Sequence, residues 1–261
     1  MAASSYLNTA PLIWRFVRAS GESEVELVDA TPAGCAEALL HGQADVALVP
    51  VIEYQRQIDL RVVDDVCVGS KQRVRSVVLV SRLNDLREVQ KVALDESSRT
   101  SATLVKILFR EFMDTEPQWT TSRPDVEIML RENDAALIIG DPAMSFRRQG
   151  LEIFDLAALW RKYTGLGFVF AMWMTRGKSA LQTAKIDFRS ARDEGLARIE
   201  EILDFYQPRL GLPRNELRVY LQENISFYLD DEMRAGLDLY YRLAQKHGLI
   251  ATVKPLKSLN V

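Results

Sequence analysis

The chain has 261 residues, with 33 Lys and Arg against 36 Asp and Glu, and is 48% hydrophobic and 26% charged. At roughly 100–200 residues per domain this length gives one large domain or two small lobes, and the composition excludes a disordered or fibrous chain. A net charge of −3, with basic residues spread along the whole chain, argues against a nucleic-acid partner.

Cys35 and Cys67 sit among apolar neighbours without C-x-x-C spacing, which reads as two buried thiols of a reducing compartment. The start, Met1 to Asn8, has neither the basic region nor the apolar run of a secretory leader, and no stretch approaches the ~18 apolar residues that span a bilayer. A cytoplasmic protein without membrane contact is expected.

In chain order, Glu24 to Leu27 alternates like a half-buried strand. Thr31-Pro32 reads as an N-cap with proline at the first helical position, and Gly42 closes that helix. Ala44 to Val49, ended by Pro50, reads as a buried strand, Ser76 to Ser81 as a β-branched strand and Val92 to Leu94 as a short one. The polar run Asp95 to Ser101 leads into a helix with Leu104, Val105, Leu108, Phe109 and Phe112 on one face. Ala135 to Ile139 is strand-like and ends at Gly140-Asp141-Pro142; Phe168 to Met174 is strand-like too.

Everything past Arg176 reads as helical. Met233, Leu237, Tyr240, Tyr241 and Ala244 form one stripe there, with Asp230 to Glu232 before it and Gly248 after it. Strands alternating with helices predict an α/β fold with mainly parallel sheets. With no Gly/Ser linker in the chain, a second lobe would have to be inserted within the first.

Several chemistries fail on the residues. Gly177-Lys178-Ser179 resembles the end of a P-loop, but the earlier glycine is missing, because position 172 is Met. His41 and His247 each fall near an expected helix C-terminus, which suits the dipole and leaves neither a metal site nor a Ser-His-Asp triad. Asn224-Ile225-Ser226 is a glycosylation sequon without meaning in a cytoplasmic chain.

Three polar groups at strand ends remain, where open α/β sheets bind ligands. Ser97 to Ser101 precedes a helix, whose free N–H groups attract carboxylate or phosphate, and Arg99 could clamp such a group; capping by Ser98 or Thr100 is the alternative. Ser5 to Leu12 offers Asn8 and Thr9 before Pro11, which opens a helix running into Trp14, or is a plain strand-to-helix turn. Gly140-Asp141-Pro142 lets a ligand approach backbone beside an acid, or is a turn in which Asp141 caps the next helix.

Together these residues resemble the chorismate dehydratases of the futalosine route to menaquinone, the MqnA family. The N-terminal Ser5-Tyr6-Leu7-Asn8-Thr9-Ala10-Pro11-Leu12 carries the resemblance first. Ala44 to Val51, Ser97 to Ser101, Leu137 to Asp141, Leu159-Trp160 through Thr164-Gly165 to Phe170, Ile225 to Tyr228 and Gly236-Leu237 follow in order, so it covers nearly the whole chain.

The resemblance implies a type II periplasmic-binding-protein-like fold. Two α/β lobes flank a cleft: one from 1–84 completed by a mostly helical 172–261, the other inserted at 85–171. It implies Asn8 and Ser76 as residues linked to the chemistry, with Thr9, Thr100 and Ser101 lining the cleft. Only four residues precede Ser5, so a shortened first strand, or a start upstream of Met1, is expected. The sister enzyme that makes 1,4-dihydroxy-6-naphthoate has a catalytic His after the strand that here ends in Ile139-Gly140, and Gly140 sets that assignment aside.

The implied reaction is a hydro-lyase step, chorismate to 3-[(1-carboxyvinyl)oxy]benzoate and water. Aromatisation drives it, so neither metal nor organic cofactor is required. Both substrate carboxylates need donors, which a Ser/Thr-rich cleft at a helix N-terminus supplies. Two proton acceptors are open: Asp141, or the substrate's own enolpyruvyl carboxylate held by Asn8 and Ser76. The expected partner is chorismate, to a monomer or homodimer. A non-catalytic small-carboxylate binding protein of the same fold is the alternative.

Overall fold

The computed structural model describes residues 1–19 and 25–259. Among them are ten strands: β1 (Ala2–Ala3), β2 (Val28–Asp29), β3 (Val46–Pro50), β4 (Leu60–Ser70), β5 (Val77–Ser81), β6 (Lys91–Asp95), β7 (Gln118–Ser122), β8 (Ala135–Ile139), β9 (Glu152–Asp155) and β10 (Phe168–Arg176). They form two five-stranded sheets, in the orders β2-β1-β3-β10-β4 and β7-β6-β8-β5-β9.

The sheets are mixed, which corrects the mainly parallel expectation. β1 runs parallel to β2 and β3, and β6 to β7 and β8, whereas β10 is antiparallel to β3 and β4, and β5 to β8 and β9. The cause lies in the two crossings. β4 ends at the edge facing the other sheet, so β5 must begin at that edge, where β6 and β8 end; β10 enters the first sheet from the same gap. A strand arriving from the opposite sheet therefore points the other way from the βαβ strands beside it.

Sheet membership changes between Ser70 and Val77 and again between Asp155 and Phe168. Divisions at 84/85 and 171/172 would leave β5 with the first part and cut β10.

Most elements follow their local signals. Thr31 Oγ1 accepts the Gly34 N–H at 3.1 Å, and Gly42, at φ +70°, lies just past the helix Pro32–Leu40. Asp230 caps Asp231–Lys246 by accepting the Met233 N–H at 3.0 Å, and the Met233–Ala244 stripe is buried. Alternation sends Val77 and Leu79 into the main core, and Val78 and Val80 into a smaller cluster with Met129 and Leu130 on the other face.

Other elements differ from the reading. Glu24 lies outside the described residues, and the strand expected there forms instead at Val28–Asp29, where Ala2–Ala3 supplies its partner. β4 is hidden because Arg61, Asp64 and Asp65 interrupt its apolar residues, and Asp65 adopts φ +62°. Past Gly248 the chain is not helical: Leu259 N–H donates to Val62 C=O at 2.7 Å, and Val62 N–H to Lys257 C=O at 2.9 Å. This tail satisfies backbone groups of β4, which helix formation would leave open.

The helix Phe188–Ala197 packs against Ala10–Arg18, the helix that follows the N-terminal turn, through Gly195. A Cβ there would lie 1.9 Å from the Pro11 carbonyl oxygen. Gly195→Ala gains about 1 kcal/mol of helix propensity, against an overpacking cost of ~1–3 kcal/mol on rigid backbone. The expected outcome is a lower urea midpoint with an unchanged slope; a raised midpoint would show that the two helices part freely.

Candidate active site

The edges at which β1, β3, β6 and β8 end face one another across a cavity of about 60 Å³. Its floor is apolar, from Leu48, Val68 and Phe170. Three polar turns close around it, and they are the three found at strand ends in the sequence.

The turn after β1 is built by outside groups. Asp29 accepts the Ser5 N–H at 2.9 Å and the Ser5 hydroxyl at 2.8 Å, and the Tyr206 hydroxyl donates to the Ser5 carbonyl at 2.8 Å. Thr9 lines the cavity, but its hydroxyl is held against the Ser4 and Tyr6 carbonyls at 2.5 and 2.8 Å. Asn8 also lines the cavity, and its Oδ1 is buried without a hydrogen-bond partner among the described residues.

The turn after β6 rests on Asp95, almost wholly buried, which accepts the Ser97 N–H and hydroxyl at 2.9 and 2.7 Å and the Ile139 N–H at 3.3 Å. Burial raises its pKa and these bonds oppose the shift. Asp95 thereby ties the ends of β6 and β8 together, a role signalled only by an acid two residues before a serine at a strand end.

Ser98, Arg99, Thr100 and Ser101 all line the cavity. The capping alternative fails there. Arg99 occupies the N-cap position of Thr100–Ile107 without a side-chain cap bond; Thr100 Oγ1 instead accepts the Ile52 N–H at 3.3 Å, and Ser98 Oγ has no partner among the described residues. Arg99 is not a free clamp in this arrangement. Its guanidinium pairs with Glu37, on a helix beside the first sheet, and with Glu53 at 3.4 Å. The hydrogen bond from Arg99 holds the Glu37 carboxyl below its ordinary value.

The turn after β8 places Gly140 on the wall but Asp141 behind it. Gly140 has φ +68° and ψ −149°, a region open essentially only to glycine. A Cβ there would sit 2.5 Å from ring carbons of Tyr6. Tyr6 lines the cavity and went unread as a site residue, since an aromatic in a turn carries no distinctive signal. Asp141 does not cap the helix it opens; its Oδ1 accepts the Leu7 N–H at 2.9 Å from the turn after β1. Burial pushes its pKa up to about 6.

Ser76 is also behind the wall, fully buried, with the Tyr220 hydroxyl donating to its Oγ at 2.6 Å. Ser76 lies just before β5, and the bond from Tyr220 holds its hydroxyl away from the cavity that the next residue, Val77, faces. The Gly140 N–H donates to the Ser76 carbonyl at 2.8 Å, so the residue supports the turn that forms the wall. Among the described residues no cluster of His, Cys, Asp and Glu is arranged to hold a metal, and no helix is long and apolar enough to cross a membrane.

Two mixed sheets joined by two crossings, with a cavity between their facing edges, define the periplasmic-binding-protein fold. The Escherichia coli periplasmic aliphatic sulphonate binding protein superposes with a TM-score of 0.63 at 17% identity, over 100% of this chain and 92% of that one. The chain belongs to the menaquinone biosynthesis family, whose model matches residues 1–246. It is 32% identical to the chorismate dehydratase of Thermus thermophilus over 254 residues, covering 90% of this chain and 91% of that one. The Campylobacter jejuni chorismate dehydratase is 24% identical, over 98% and 96% of the two chains.

Gly140→Ala combines a glycine-only backbone with a clash against Tyr6, and is expected to cost ~1–3 kcal/mol of stability. Thermal unfolding checks this; an unchanged Tm would mean that Tyr6 swings clear at no cost.

Proposed function

We propose that this chain is a chorismate dehydratase, a hydro-lyase converting chorismate to 3-[(1-carboxyvinyl)oxy]benzoate and water in menaquinone biosynthesis via futalosine. Family membership and the full-length relatives support the substrate. The observation that carries the site is the pair of unpartnered buried atoms on the cavity wall, Asn8 Oδ1 and Ser98 Oγ. Each such atom costs ~1–3 kcal/mol without a partner. A polar substrate removes that cost: Ser98 offers an O–H to a carboxylate, and the Asn8 amide offers both a donor and an acceptor.

The chemistry needs a proton removed from C3 and hydroxide expelled from C4. The enolpyruvyl carboxylate takes the C3 proton and passes it to the departing hydroxide as water, leaving an aromatic ring. Asn8 holds that carboxylate in reach, so proximity supplies the rate. Thr9, Thr100, Ser101 and Gly140 shape the pocket, and the helix N-terminus at Thr100 favours the anion.

The present cavity, about 60 Å³, is smaller than the ~300–1,000 Å³ of a ligand pocket, so the sheets part to admit substrate. The inserted lobe is then 77–155 by sheet membership. Opening on the Arg99 side frees its guanidinium from Glu37 and Glu53 for the second carboxylate, while the side held by Leu7 and Asp141 stays joined and Ser76 acts from behind the wall, its carbonyl holding the Gly140 N–H. The two cysteines, buried and unpaired, favour the cytoplasm as the compartment.

Purified protein mixed with chorismate, followed by ultraviolet absorbance and mass, should lose one water and yield the benzoate. Saturable binding with chorismate unchanged would instead identify a small-carboxylate binding protein of this fold. Asn8→Ala should lower kcat by ~10–100-fold with Tm retained; near wild-type turnover would remove Asn8 from the mechanism.

A further inference from the structure

We propose that Asp141 is a positioning residue that seats Asn8 through the Leu7 N–H, and is not the proton acceptor of the reaction. The inference rests on the dehydratase reading for its kinetic arm only.

The 3₁₀ turn Leu7–Thr9 presents Asn8 to the cavity, and its N-cap residue, Tyr6, makes no side-chain cap bond. Leu7 is fully buried, so its N–H needs a partner from elsewhere. Asp141 supplies it at 2.9 Å from 134 residues away. The contact is doubled one residue earlier on each side, where the Tyr6 ring lies against Gly140. Two consecutive residues of one turn thus grip two consecutive residues of the other, and Asn8 is the next residue along.

The carboxylate is turned to this task and away from the reaction space. Gly140 lies on the cavity wall and Asp141 does not. The titratable groups that sense its charge are the phenols of Tyr6, Tyr206 and Tyr220, all raised first by burial and then further by nearby acids including Asp141. Asp95 and Asp29 act on Tyr6 as well, and Arg75 opposes the shift at Tyr220. With its own pKa pushed up to about 6, Asp141 gains a proton just below neutrality and becomes a weaker acceptor for Leu7.

Asp141→Asn keeps an oxygen that can accept the Leu7 N–H, whereas Asp141→Ala removes it. Two readouts on the full chain separate the roles: steady-state kinetics with chorismate between pH 5 and 8, and hydrogen exchange of the Leu7 amide by NMR. D141N, a neutral acceptor at every pH, should match wild-type kcat below pH 6, stay within about threefold of it at pH 8 and show no step near pH 6, while D141A should fall by about 100-fold in kcat from a misplaced Asn8. Leu7 should stay protected in wild type and D141N, and exchange freely in D141A.

A D141N protein as inactive as D141A, with Leu7 still protected, would overturn the proposal and make Asp141 the base. Full activity in D141A with Leu7 exposed would overturn it from the other side. A wild-type chain that leaves chorismate unchanged sinks the dehydratase reading, and Leu7 exchange then decides by itself whether Asp141 holds the turn.

Discussion

The hydrogen bond from Leu7 to Asp141, with Tyr6 seated on Gly140, joins the turn leaving β1 to the turn leaving β8. This contact brings the facing edges of the two sheets together at one side of the cavity. A second set closes the other side: Ile52 donates to Thr100 Oγ1 at 3.3 Å, Tyr240 to the Thr100 carbonyl at 3.0 Å, and Arg56 to Thr103 at 3.2 Å. Arg99 adds charge to the same side through Glu37 and Glu53. The cavity exists because both sides are closed at once, with apolar Leu48, Val68 and Phe170 beneath.

The crossings between the sheets are fixed by one carboxylate. Asp155, at the end of β9, accepts the Arg75 N–H at 2.7 Å and the Val74 N–H at 3.0 Å, and caps the following helix through the Ala158 N–H at 3.0 Å. Arg75 sits at φ +61°, an uncommon conformation for a residue with a side chain. One group therefore binds the outgoing and returning segments together, immediately before Ser76. Around the cavity most buried polar atoms are similarly occupied. Of the buried side-chain atoms without a partner among the described residues, only Asn8 Oδ1 and Ser98 Oγ belong to its wall, which is why those two point to a ligand.

The local elements were legible where a short-range cause decides them. Thr31-Pro32, Asp230 with its buried stripe, and the apolar strand Ala135–Ile139 each form where their own residues predict. The polar turns of the site were legible for the same reason, as small polar groups at strand ends. β4 was hidden because its charges sit within a strand that draws partners from β10 and from the C-terminal tail. β2 was displaced because its strand character comes from pairing with Ala2–Ala3.

The order of residues along the chain determined which groups stand at the strand ends, and the resemblance of those runs pointed to the family. Only the tertiary structure decided which of them share a cavity. The Tyr220 hydroxyl held Ser76 away from the cavity that Val77 faces; the backbone at Gly140 directed Asp141 to Leu7; and Glu37 and Glu53 drew Arg99 into ion pairs. These are contacts between residues far apart in the chain, made by packing two sheets face to face. No local pattern records them, because each depends on groups that the sequence separates and only the closed fold brings within hydrogen-bond distance.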